Sequence, residues 1–232
     1  MSGKSELFSP LQSTSADRDP RGLRGGLFKH RRSLLEIALV FGLILVAVWT
    51  PQGALNSLIA IVAAACVVGF AISGKWTPSQ LGLTRPLAGA AYMLTAGALL
   101  CLAIMLIGIS LRFAGAGYSV PWSRSWQYAI WSLAQEFILQ SIFFVRLESI
   151  LGARQGVIAA ASLFAVAHLP SPVLTLLAFV GAVVFSGFFR HWRNLFPLGL
   201  IHAALGLTIA ASLPDKWLHH MRVGIGYLTI HP

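Results

Sequence analysis

One glutamate and two histidines stand almost alone in long apolar stretches of this chain. Glu136 lies within 128–145, and His168 and His202 each sit in a further apolar stretch. An ionisable side chain at membrane depth costs about 2.5–3.5 kcal/mol on insertion scales, so such groups usually face a bundle interior or a wet cavity and carry function. A carboxylate there can act as a general base towards water. A histidine can polarise a carbonyl, hold a water molecule or bind a metal ion. Three such groups on three separate segments are enough to position and activate water, which points to hydrolysis inside a membrane. The competing reading of Glu136 is a neutral carboxyl bonded to a neighbouring helix. For either histidine it is a satisfied packing residue.

The neighbours sharpen the pattern. Gln140 follows Glu136 by four residues and shares its helical face, whereas Gln135 is turned about 100° away. Phe164 precedes His168 by one turn. His202 stands among Leu200, Ile201, Ala203 and Ala204, so its polar partner must come from another helix. No His-x-x-x-His spacing is present, and the pattern requires no cofactor. A divalent metal ion is the one candidate, held open by Glu136, His168 and His202. Among the other ionisable residues, Glu36 can snorkel to the interface from the start of the first span. Arg146 and Glu148, ending the fourth, are expected to pair or face headgroups. His219, His220 and His231 are expected to be solvated, and Asn194 can cap the last span. Cys66 and Cys101 lie in apolar spans with no Cys-x-x-Cys spacing and read as small buried hydrophobes.

The elements that must position these groups are apolar helices. The 232 residues are 56% hydrophobic and 10% charged, with a mean hydropathy of +0.76. No charged residue occurs between Glu36 and Lys75, or between Arg85 and Arg112. A soluble core helix would carry polar positions every second or third residue. The expected architecture is therefore all-α, a polytopic transmembrane bundle of about seven apolar segments: 33–49, 54–72, 87–111, 126–147, 155–169, 173–189 and 195–213. The fifth is short for a full crossing. Residues 1–32 read as a disordered basic cytoplasmic tail, 33–213 as the transmembrane domain and 214–232 as a short polar tail, in which Trp217 and Tyr227 are candidate interfacial anchors. The net charge of +10 gathers on Lys4, Arg18, Arg21, Arg24, Lys29, Arg31 and Arg32. Positive charge before the first span suits a cytoplasmic N-terminus in a bacterial inner membrane. It does not suit nucleic acid, since no soluble domain is left to hold a duplex. Membrane lipids and a membrane-associated peptide or protein are the expected partners.

The order of these motifs resembles the CPBP intramembrane proteases, which include CAAX prenyl endopeptidases, bacteriocin-processing enzymes and Abi proteins. The resemblance covers about 77–212, including the linker-like stretch 80–86. The family's Glu-Glu-x-x-x-Arg falls here on Gln135, Glu136 and Gln140. Its Phe-x-x-x-His is matched in full by Phe164 and His168, and its His-x-x-x-Asn reads His202 and Gly206. The resemblance implies a polytopic endopeptidase that cleaves a membrane-associated or lipidated protein near the cytoplasmic leaflet. Three positions depart from it. Gln135 replaces the glutamate the family uses to activate water, Gln140 the arginine that orients the carboxylates, and Gly206 the asparagine associated with the oxyanion. Two accounts stand open. In one, Glu136 is the base, His168 holds the water and His202 supports the oxyanion. In the other, the chain is a catalytically inactive binding or immunity protein on the same scaffold. A proton-coupled transporter using Glu136 as carrier is a further alternative, although no internal repeat supports it.

Overall fold

The computed structural model describes residues 20–113 and 117–229, with side chains from residue 30 onwards. Lys4 and Arg18 of the expected basic tail, and His231 of the polar tail, lie outside the described residues. Among the described residues, ten α-helices run in chain order: α1 (Pro20–Trp49), α2 (Ala54–Ser73), α3 (Ala90–Ser110), α4 (Trp122–Glu136), α5 (Val145–Leu151), α6 (Ala153–Val166), α7 (Pro172–Trp192), α8 (Phe196–Ser212), α9 (Asp215–Leu218) and α10 (Ile225–Leu228). A π-helix, Phe137–Phe144, joins α4 to α5, so that Trp122–Leu151 runs as one continuous apolar rod. No strand occurs among the described residues.

Among the described residues, five helices are long and apolar enough to cross a bilayer: His30–Trp49, Ala54–Ser73, Ala90–Ser110, Trp122–Leu151 and Pro172–Trp192. The two remaining apolar helices, Ala153–Val166 and Phe196–Ser212, are shorter. The protein is thus a polytopic helical bundle, as the hydropathy implied. Lipid is as apolar as the protein core, which is why α2 and α3 carry leucine and isoleucine on every face. Ile61, Leu99 and Leu102 lie exposed on the outside of the bundle.

Without a hydrophobic driving force between helices, close approach depends on small residues. Helix α8 is the hub. Gly97 of α3 sits against Ile201, and Gly199 of α8 sits against Leu133 of α4. A Cβ on Gly199 would lie 3.0 Å from the Leu133 Cα, so the α4–α8 contact is backbone-close. Helices α6 and α7 pack together, and α1 and α2 pack as a hairpin.

Several expectations are corrected by long-range pairing. Helix α1 begins at Pro20, so 20–32 of the segment read as tail is helical. Glu36 does not snorkel; it is buried and accepts from Arg146 Nε at 2.7 Å and from Arg32 Nε at 2.8 Å. Arg146 and Glu148 do not pair with each other. Arg146 is fully buried and also donates to the carbonyls of Ser141, Ile142 and Phe70. Glu148 instead accepts from Arg193. The linker after α2 is strapped to the bundle: Ser141 Oγ donates to the Leu81 carbonyl at 2.8 Å, and Leu195 N–H donates to that of Gly82 at 3.1 Å. Asn194 does cap α8, accepting from Phe196 N–H, and its amide also donates to the Pro86 and Ala88 carbonyls. The C-terminal segment folds back onto the bundle, Gly224 N–H donating to the Leu169 carbonyl at 2.7 Å. There the His219 ring stacks on Tyr227, and His220 meets Tyr118 and Asp215, so neither histidine is simply solvated. The Trp217 ring rests on Phe113.

Candidate active site

Glu136 is the last residue of α4, where the α-helix widens into the π-helix. Such segments occur often at functional sites because they re-aim side chains. Its side chain is fully buried. One carboxylate oxygen, Oε1, is 2.8 Å from His202 Nδ1. The other, Oε2, accepts from Gln140 Nε2 at 3.1 Å. The partner that His202 requires from another helix is therefore Glu136, 66 residues away in sequence. Gln140 stands where the resembled family has arginine, and it holds the second carboxylate oxygen. Its own Oε1 is buried without a hydrogen-bond partner.

His168 lies just past the end of α6, in the turn that follows it. This corrects the expectation that it belongs to the helix. Its Nδ1 is 2.7 Å from the Phe164 carbonyl. A carbonyl can only accept, so Nδ1 carries the proton and a neutral ring leaves Nε2 as an acceptor. Phe164 stands between the two histidines, its ring centroid 4.7 Å from that of His168 and 6.0 Å from that of His202. Phe185 of α7 closes on His202 from another side at 6.0 Å.

Glu136, His168 and His202 all line one cavity of about 750 Å³, together with Gln135 and Phe164. The remaining walls are almost entirely apolar and come from α1, α2, α4, α6, α7 and α8, with Met221 and Val223 of the folded-back C-terminal segment. This volume suits an extended apolar ligand with a few convergent polar groups. The structure thus brings together five of the six sequence-derived candidates, and Gln140 supports from behind. Tyr128 is the wall residue that sequence reading missed. It begins the series 128, 132, 136, 140 of polar residues one turn apart, a signal that was present. The three acid–base residues do not gather as a ligand set: no group of three or more His, Cys, Asp or Glu able to hold a metal ion occurs among the described residues. Both histidine Nδ1 atoms are already engaged by protein.

Residues 118–208 match the Rce1-like family, described as type II CAAX prenyl endopeptidase Rce1-like. The Rce1-like stretch spans α4 to most of α8 and so contains Glu136, Phe164, His168, His202 and Gly206. It agrees with the CPBP resemblance read from the motifs. At family level, Rce1-like proteins are membrane proteases. No curated protein and no solved structure matches the chain.

Proposed function

We propose that the protein is an intramembrane endopeptidase of the CAAX-protease type, cleaving a membrane-associated or lipidated protein with water activated by Glu136. The observation that carries this reading is the Glu136–His202 contact at 2.8 Å on the wall of an apolar cavity that also presents His168. A buried carboxylate needs a compensating partner, and here the partner faces the same cavity.

The chemistry then divides among this chain's own side chains. Gln140 and His202 fix the two oxygens of Glu136, so the carboxylate is oriented before substrate arrives. His168 Nε2 accepts a hydrogen bond from the water and holds it. Glu136 takes a proton from that water as its oxygen attacks the scissile carbonyl carbon. His202, with Nδ1 committed to Glu136, turns Nε2 towards the cavity, and in its protonated form donates there to the developing oxyanion. As the carbon–nitrogen bond breaks, the departing amine takes the proton from Glu136. The apolar walls accommodate a lipid-bearing or transmembrane substrate and keep bulk water away. Gln135 does not enter the proton traffic, since an amide cannot take a proton near neutral pH.

The test is proteolysis by the full chain in liposomes, with a fluorogenic peptide ending in an S-farnesyl-cysteine and three further residues. Cleavage by the unaltered protein, abolished by Glu136→Gln and lowered about 10²–10⁴-fold by His168→Ala, is the expected outcome. A chain that binds the peptide without cutting it is instead a binding protein on a protease scaffold. Proton-coupled solute flux without proteolysis would make it a transporter.

A further inference from the structure

The wall opposite His202 carries a hydroxyl that this mechanism has not used. Tyr128 of α4 lines the same cavity as Glu136, His168 and His202. Its phenol lies directly on Gly206 of α8: a Cβ added at residue 206 would be 2.0 Å from Tyr128 Oη and 2.8 Å from Cζ. That is far inside any real contact, so the phenol occupies the space a side chain at 206 would take. Gly206 follows His202 by four residues and shares its face of α8. The hydroxyl is thereby delivered to the histidine's side of the helix, one turn further along.

Hydrolysis at a carbonyl creates negative charge on an oxygen, and that charge must be met by donors placed in advance at 2.7–3.1 Å from it. His202 offers one donor. The four residues from His202 to Gly206 rise about 6 Å, a spacing that a single oxygen between two donors can bridge. A phenolic O–H is a suitable second donor, since it is neutral and remains protonated well above neutral pH. A tyrosine at residue 128 paired with glycine at residue 206 is what such a placement needs: the long side chain from α4 reaches across because α8 presents none.

We infer that Tyr128 is a catalytic residue, its hydroxyl donating to the oxyanion beside His202, with Gly206 as the residue that admits it. This rests on the hydrolase reading of the site. A tyrosine that only fills space would contribute ring volume, and its hydroxyl would be dispensable.

The experiment follows the farnesylated peptide in liposomes with the full chain and separates kcat from KM. Tyr128→Phe keeps the ring and removes the donor; kcat falls about 10²–10³-fold while KM and thermal stability hold. Gly206→Ala keeps the phenol but displaces it, and gives a similar fall in kcat. Tyr128→Ala combined with Gly206→Asn places an amide donor in the vacated space and recovers at least about tenfold of the activity lost by Tyr128→Ala alone. Full kcat in Tyr128→Phe, or no recovery in the double variant, overturns the inference. If the unaltered protein cuts and Glu136→Gln does not, while Tyr128→Phe cuts normally, only the role of Tyr128 falls. If the unaltered protein does not cut, the hydrolase reading falls and takes this inference with it.

Discussion

Breaking the Glu36–Arg146 pair should destabilise the bundle more than any substitution at its lipid-facing surface. Arg146 is fully buried on α5, and its guanidinium meets a single negative partner, Glu36 Oε2 at 2.7 Å; its other contacts are neutral carbonyls. Glu36→Leu leaves that charge buried and uncompensated, which costs about 3–5 kcal/mol. Arg146→Met is milder, at about 2–3 kcal/mol, because Glu36 keeps Arg32 at 2.8 Å and loses only the buried half of its pairing. The double variant Glu36→Leu with Arg146→Met removes both charges and should come within about 2 kcal/mol of the unaltered chain, since buried ion pairs are often replaceable by apolar residues of similar size. The coupling energy between the two positions is then at least about 3 kcal/mol. Unfolding in mixed micelles of mild detergent and dodecyl sulfate, followed by tryptophan fluorescence, measures all four proteins. If the two single effects simply add in the double variant, or if each is under about 1 kcal/mol, the pair does not tie α1 to α5 as argued.

Other expectations concern the site and its scaffold. His202→Ala should abolish cleavage and also lower stability by about 3 kcal/mol, because it leaves Glu136 buried with only Gln140; a stable, active variant would refute the pairing. Gly199→Ala should cost about 1–3 kcal/mol by overpacking the α4–α8 contact, measured in the same unfolding assay. Arg193→Ala should cost about 1 kcal/mol or less, since its bond to Glu148 is partly exposed and partly screened, even with its stacking on Phe144 and Phe189.

What the sequence made legible was set by where lipid removes ambiguity. In a bilayer no polar residue is needed on the outside of a helix, so seven apolar runs were visible, and Glu136, His168 and His202 stood out against them. The Glu136–Gln140 face followed from helical spacing alone. Pairing across long separations was not legible. Nothing near Glu36 announces Arg146, 110 residues later, and nothing near Ser141 announces the Leu81 carbonyl. The π-helix was hidden because FILQSIFF has no composition that separates it from an α-helix. The C-terminal segment looked like a polar tail because its histidines find aromatic and acidic partners only when the chain folds back. Tyr128 was missed because nothing in the sequence near it announces the close approach of its phenol to Gly206, 78 residues later.

The distance along the chain between Glu136 and His202 also has a meaning in time. A ribosome adding about 5–20 residues per second takes roughly 3–13 s to make the 66 residues that separate them. Glu36 never waits, because Arg32 is made four residues before it. Glu136 enters the membrane with Gln140 as its nearest polar company and no cation. For those seconds the growing chain holds an acidic group in an apolar place, so the fourth span should stay beside the insertion machinery until α8 arrives. A chain that stalls before α8 is therefore marked as incomplete by a buried carboxyl group still without its His202 partner. Glu136 acquires its His202 partner only once α8 has been made.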